Sequence, residues 1–203
     1  MTALTHYTTI ARPFRHEPDK IKGSRFICDL TPVLDEASAE AAVAAARAAF
    51  PDACHHCYAW ILDPEGKRTR AADDGEPGSS AGPPILRQLE GHGVTGIVAV
   101  VSRYFGGTML GVGGLMRAYG GAAGEAIDRA DIVHVRVKKT VVIDYPYEVS
   151  GPVEGLLAAV EAHVDHADYG AAVQARITLP LDRFDEFCAE LTERTAGRAH
   201  LAE

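Results

Sequence analysis

The sequence predicts an α+β protein built as two domains, and three observations carry that expectation. Residues 140–203 run in the order strand, helix, strand, strand, helix, strand, the βαββαβ pattern of a ferredoxin-like domain. The apolar run Ile97-Val-Ala-Val-Val101 reads as a strand buried on both faces, and a glycine-rich segment joins it to a long helix. Charge also changes abruptly along the chain. Residues 1–139 hold 16 Lys/Arg against 16 Asp/Glu and residues 140–203 hold 4 against 12, so the whole net charge of −8 is C-terminal.

The elements follow in order. Residues 1–19 read as an N-terminal extension, 20–137 as the first domain and 138–203 as the second. The first twenty residues carry Arg12, Pro13, Arg15, Glu17, Pro18 and Asp19 without a continuous apolar run, so neither a signal peptide nor a membrane span is expected and a cytoplasmic location is the simplest reading. Ser24 to Leu30 mixes β-formers and apolar residues, and Asp35 to Phe50 is an alanine-rich helix closed by Pro51. A strand over Cys57 to Leu62 ends at the turn Asp63-Pro-Glu-Gly66, and Lys67 to Arg70 returns as a short strand. Asp73 to Pro84, rich in glycine, proline and serine, is a loop by composition and leads into a short helix over Ile85 to Gly91. After the strand Gly96 to Ser102, a helix runs from about Gly113 to Ala130 with four glycines inside it, which implies close packing or a kink. Ile132 to Asp144 is β-branched and crosses the domain junction near Lys138. Helices over Glu148 to Ala162 and Leu181 to Thr195 and strands over Val164 to Tyr169, Ala171 to Leu179 and Arg198 to Leu201 complete the second domain.

The segment Arg103 to Tyr119 is the main functional candidate. Its glycines Gly106, Gly107, Gly111, Gly113 and Gly114 expose backbone N–H groups where a strand feeds a helix N-terminus, a place that favours anions. Arg103 and Arg117 could bind phosphate bidentately, and Tyr104 and Phe105 could stack on bases; core packing is the plain alternative for Phe105, and tight backbone packing for the glycines. The spacing fits neither a nucleotide-hydrolysing P-loop nor a dinucleotide fingerprint. Asp73-Asp74-Gly75-Glu76-Pro77 places three carboxylates in five residues, enough for acid–base chemistry, but it lacks the calcium-loop pattern and no metal is assigned. Cys54-His55-His56-Cys57 has redox or zinc spacing. On a strand, however, His55 and Cys57 face one way and Cys54 and His56 the other, which splits any four-ligand site. With only four scattered cysteines, free thiols in a reducing compartment are expected. His163 and His166 read as charges near a helix C-terminus rather than as ligands.

Several of these blocks together resemble a known family. Lys22-Gly-Ser-Arg-Phe-Ile27, His55-His-Cys-Tyr-Ala59, Asp73-Asp-Gly-Glu-Pro77 with Ala81-Gly82, and Arg103-Tyr-Phe-Gly-Gly107 through Leu110-Gly111, Gly113-Gly-Leu115 and Arg117-Ala-Tyr119 are similar, in order and spacing, to the signature blocks of the IMPACT/YigZ family. The resemblance implies an N-terminal domain of left-handed βαβ, ribosomal-protein-like architecture and a C-terminal domain like the last domain of elongation factor G. It also implies a role in translational control, with no catalytic residues to carry over and no cofactor. Two departures stand out. Pro77-Gly-Ser-Ser-Ala-Gly82 replaces the usual Pro-Ser-Gly-Thr-Ala-Gly, which moves the first glycine by one position, and Met109 stands where relatives often carry lysine. The leading expectation is therefore a non-enzymatic binding protein engaging RNA or a translation component. The site would be His55, Cys57, Arg103, Tyr104, Arg117 and the glycine-rich backbone. The rival expectation is a small-molecule hydrolase or phosphotransferase using Asp73, Asp74 and Glu76.

Overall fold

The computed structural model describes residues 4–202. It divides into two compact units, Tyr7–Val135 and a second formed from Arg136 onward with the first residues of the chain. Residues 1–19, expected to be an extension, instead carry β1 (His6–Ile10) and β2 (Phe14–His16). Strand β2 is an edge of the main sheet, and β1 forms a two-stranded sheet with β7 (Ile132–Arg136).

In the first unit, β3 (Arg25–Pro32), β6 (Ile97–Tyr104), β4 (His55–Ile61) and β5 (Thr69–Ala72) complete a five-stranded sheet in the order β2-β3-β6-β4-β5, every neighbouring pair antiparallel. Helix α1 (Glu36–Ala49) links β3 to β4, which lie parallel to each other with β6 inserted between them. The alternation of β6 explains its continuous apolar sequence. Ile97, Ala99 and Val101 join Phe26, Cys28, Ile61 and residues of helices α2 (Gly82–Gly91) and α3 (Val112–Arg129) in one core, while Val98 and Val100 face Trp60 and the alanines of α1 on the other side. Asp35 starts α1 through a reciprocal capping box with Ser38. Of the five glycines within α3, Gly124 is explained by α2, since a Cβ there would lie 2.7 Å from the Gln88 side chain, and Gly120 faces Pro84 at ordinary contact distance.

Three helix boundaries differ from expectation, one of them in the helix expected over Leu181 to Thr195, which is a 3₁₀ turn, Leu181–Arg183, followed by an α-helix from Phe184. Helix α2 begins at Gly82, three residues early, because Pro83 and Pro84 sit in its first turn, where a missing N–H is no loss. In the second unit the helix expected over Glu148 to Ala162 is a 3₁₀ turn, Tyr147–Val149, followed by α4 (Ser150–Ala159); the chain leaves α4 through Glu161 at φ +57°.

The second unit orders β8 (Lys138–Tyr145), α4, β9 (His163–Tyr169), β10 (Val173–Pro180), α5 (Phe184–Thr195) and β11 (His200–Leu201) into an antiparallel sheet β11-β8-β10-β9. This is the ferredoxin-like order. His163 and His166 lie on β9, not at a helix end. Ile143, Val173, Ala175, Ile177 and Leu179 pack with Leu156, Leu157, Phe187 and Leu191 in one core. The opposite sheet face is polar and keeps carboxylates: Asp144 accepts from Gln174 and Asp165 from Thr178.

Candidate functional site

Two backbone approaches fix the shape of the glycine-rich segment. Gly23, at φ +82°, lies against Gly106 so closely that a Cβ on Gly106 would fall 2.0 Å from the Gly23 carbonyl carbon. The Gly106 amide donates to Ser24 Oγ at 3.1 Å. Gly106 is thus a backbone-packing residue. Gly107 (φ +84°) and Gly111 (φ +71°) instead meet open space and are required by conformation alone. Gly111 caps α3 without a side chain, and the amides of residues 112–114 have no acceptor among the described residues.

The acidic loop is an organised cap. Asp73 Oδ1 accepts from the amides of Ala81 and Gly82, both at 2.9 Å, and Oδ2 from Ser79 N at 2.8 Å. With Pro83 and Pro84 supplying no N–H, Asp73 satisfies the start of α2. Gly82 itself backs onto Ala72, where a Cβ would be 2.5 Å from the backbone nitrogen. Asp74, at φ +45°, turns the other way: Arg47 Nη2 donates to Oδ1 and the His56 amide to Oδ2, each at 2.6 Å. Burial works to raise its pKa, but Arg47 and the His56 amide outweigh it and hold the carboxyl below its ordinary value.

Glu76 is the centre of the cluster. Its side chain is 4% exposed, and Oε1 accepts from Arg103 Nη1 at 2.6 Å and Tyr119 Oη at 2.7 Å, with His55 Nε2 at 3.9 Å. Nδ1 of His55 lies 2.8 Å from the Asp74 carbonyl oxygen, which makes Nδ1 a donor and leaves Nε2 facing Glu76. Cys57 Sγ donates to the Asp73 carbonyl at 3.0 Å, and burial pushes its thiol up to about 12. It is a poor nucleophile. Burial likewise raises the Tyr119 hydroxyl, which stays a donor. Phe26 packs edge-on against the Tyr119 ring at 5.1 Å.

The sequence-derived residues therefore divide. His55, Cys57, Asp73, Asp74, Glu76 and Arg103 come together around the loop. His55 and Cys57 do share a strand face, while His56 reaches Phe50 O on the other side. Arg117 is not with Arg103: it is exposed and lines a separate cleft with Lys20, Ile21 and Glu125, so the two arginines form no common phosphate clamp. The exposed face of α3 carries Arg117, whereas Arg103 is buried at the end of β6. Tyr104 packs beneath the Arg25 guanidinium, at 5.1 Å, and Arg25 is paired to Glu17. Phe105 is 52% exposed, and with Met109 and Val112 it forms an apolar lip. Gly113 and Gly114 lie in the first turn of α3, Gly114 against Leu110. Tyr119 and Arg47 were missed as site residues. Tyr119 closes the glycine-rich segment, but its hydroxyl's destination is tertiary, and Arg47 carries no local signal.

Below the lip is an open cleft of about 360 Å³ lined by Glu76, Arg103, Gly111 and the apolar side chains of Pro77, Phe105, Met109, Leu110, Val112 and Leu115. Arg103 makes one side-chain hydrogen bond, to Glu76, and its Nε is buried with no acceptor among the described residues. An unmet buried donor of that kind costs about 1–3 kcal/mol. The cleft thus combines an apolar wall, a helix N-terminus and an unused guanidinium edge.

Such an arrangement, on an antiparallel sheet followed by a ferredoxin-like unit, defines an α+β protein of two units with an organised cleft in the first. Residues 22–127 match the Impact N-terminal domain and residues 143–198 a domain of unknown function, DUF1949. The chain belongs to the IMPACT family. It is 38% identical to the IMPACT family member YigZ of Escherichia coli over 190 residues, covering 90% of this chain and 91% of that protein. Identity to YvyE of Bacillus subtilis is 30% over 200 residues, covering 98% and 92%. A solved structure described as a hypothetical protein is similar with a TM-score of 0.80 and 36% identity, covering 98% of this chain and 97% of that one.

Proposed function

We propose that this chain is a non-enzymatic, cytoplasmic binding protein that acts in translational regulation by engaging a translation component, RNA or protein, through the cleft of the first unit. One observation carries the reading. All three carboxylates of the acidic loop are held in hydrogen bonds to the protein, while Phe105, Met109 and Val112 stand exposed at the cleft mouth. Side chains already satisfied in this way brace a surface, and an exposed apolar lip offers contact area. The family's link to translation supplies the class of partner, and no helix in the described residues is long and apolar enough to cross a membrane. The hydrolase or phosphotransferase reading loses support, since Asp73 caps a helix, Asp74 pairs with Arg47 and the Cys57 thiol is held protonated.

The test is photo-crosslinking in cells from a reactive residue at position 109, with recovered RNA sequenced and recovered protein identified by mass spectrometry. Ribosomal RNA or translation proteins should be enriched, and a Phe105→Ala background should remove that enrichment. Equal recovery with and without the Phe105 ring overturns the proposal.

A further inference from the structure

We infer that the cleft between Arg103 and the start of α3 takes an apolar carboxylate, presented as the C-terminal residue of a partner polypeptide. The inference rests on the proposed binding role of this cleft and names the chemistry it recognises.

Three features converge. The first is the α3 N-terminus, where Gly111 provides no capping side chain and the amides of residues 112–114 lack a protein acceptor among the described residues. Free amides at the positive end of an eighteen-residue helix favour an oxyanion. The second is Arg103, whose side chain is only 8% exposed. Its Nη1 is committed to Glu76 and its Nε is buried with no acceptor among the described residues, while the residue itself lines the same cleft as Gly111 and Val112. That edge of a guanidinium has the spacing of a carboxylate. The third is the wall: Pro77, Phe105, Met109, Leu110, Val112 and Leu115 are apolar, and the cleft is about 360 Å³, room for one large aliphatic side chain and its carboxylate.

The charge balance selects among anions. Glu76 lies 2.6 Å from Arg103 and already neutralises it, so the cleft holds one buried cation, one buried anion and a helix dipole. A monoanion is tolerated there, whereas the doubly charged phosphate faces Glu76 at close range. Met109 at the lip adds apolar contact and no compensating charge. The lip is open on its Phe105 and Val112 side, so a chain can run out from the bound end. Capture of a terminal carboxylate by backbone amides with an adjoining apolar pocket is an established recognition mode.

The experiment uses the full chain, titrated with acetyl-Ala-Ala-Leu as the free acid, the same peptide as its amide, acetyl-leucine and inorganic phosphate, followed by ¹⁵N-resolved NMR. The acid peptide should shift the amides of residues 112–114 and the Arg103 Nε–H, and it should bind about tenfold or more tightly than the amide, the difference expected from one charge-assisted contact. Val112→Asp, which places a carboxylate over the same amides at a position where helices accept one, should remove acid binding without lowering Tm. Equal binding of acid and amide, or tighter binding of phosphate, overturns the inference. Acetyl-leucine binding as well as the peptide overturns the chain-end assignment in favour of a free small acid. The two readings separate cleanly. If the peptide leaves the cleft unperturbed while Phe105→Ala still abolishes crosslinking, the carboxylate inference falls and the binding role stands; if the peptide binds while crosslinking survives Phe105→Ala, the reverse holds.

Discussion

The two units of this chain are stabilised by different means. The second is held by a single apolar core, and among the described residues its one buried polar side chain is Thr195, satisfied locally by Leu191 O and the Ala199 amide. The first buries Ser24, His56, Ser80, Ser102 and Arg103 and also seats backbone on backbone at Gly23–Gly106 and Gly82–Ala72. Lys22, Asp74 and Ser79 adopt positive φ there, all at the loops around the cleft, whereas Glu161 and Ala196 in the second unit merely follow helix ends. Buried polar groups and left-handed side chains are costly. Their concentration in one unit marks where sequence is constrained by something other than core formation.

Substitutions can break that contrast, and the largest effect is expected at Gly106. A methyl group there would overlap the Gly23 backbone at 2.0 Å and its neighbour Ser24 N at 2.1 Å, with no flexible side chain able to yield. Gly106→Ala should destabilise the first unit by at least about 4 kcal/mol, in the range reserved for overpacking and strain. Trp60, the sole tryptophan, lies in the first unit, so the loss should appear as an earlier fluorescence transition in urea. An unchanged midpoint would mean that the crossing is looser than described.

Next is Glu76→Ala, which strands the Arg103 guanidinium and leaves the Tyr119 hydroxyl unbonded beneath the cleft. Removing one partner of a buried pair costs about 3–5 kcal/mol. The same fluorescence assay should place this variant between Gly106→Ala and wild type. A Glu76→Ala variant as stable as the parent would show that the pair is there for binding and contributes nothing to folding.

The legibility of the sequence divides along the same line. Most elements of the second unit were readable, because alternation along β10 and the turn at Gly170 are local signals that agree with the fold. In the first unit the buried strand β6 and helix α1 were equally plain. Strands β1 and β2 were not: they are five and three residues long, bracketed by Arg12, Pro13 and Pro18, and β1 finds its partner β7 about 120 residues away. The site was legible as residues but not as roles. Three carboxylates in five residues look like free acids until Arg47, Arg103 and Tyr119 arrive from three other elements. Arg103 and Arg117, both read as phosphate ligands, lie in different clefts for the same reason, since the loop and helix between them carry them apart.

A smaller effect sharpens the comparison within the loop. In the run Gly78-Ser79, Ser79 occupies φ +61° while the neighbouring Gly78 adopts no such angle. The glycine thus stands one position before the residue whose backbone conformation favours it. Ser79→Gly should therefore stabilise the first unit by about 1 kcal/mol, the cost of a left-handed non-glycine residue. The Trp60 transition should move to higher urea, and Gly78→Ala should leave it almost unchanged, since nothing lies within 4 Å of that position.

The smallest effect lies in the second unit, where the logic of glycine reverses. Gly155 is in the middle of α4 with nothing within 4 Å of a Cβ, and its φ is not positive. No neighbour requires its smallness and no turn requires its freedom. Replacing it with alanine removes conformational entropy from the unfolded chain and improves helix propensity, so Gly155→Ala should stabilise the second unit by about 0.5–1 kcal/mol. Trp60 does not report on that unit, so the measurement is hydrogen exchange at the amides of Ile143 and Ile177, which face its core from β8 and β10. Slower exchange there, with the Trp60 midpoint unmoved, would show that glycine in the second unit is incidental where glycine in the first is structural. Faster exchange would mean that α4 relies on Gly155 for a contact other than side-chain packing.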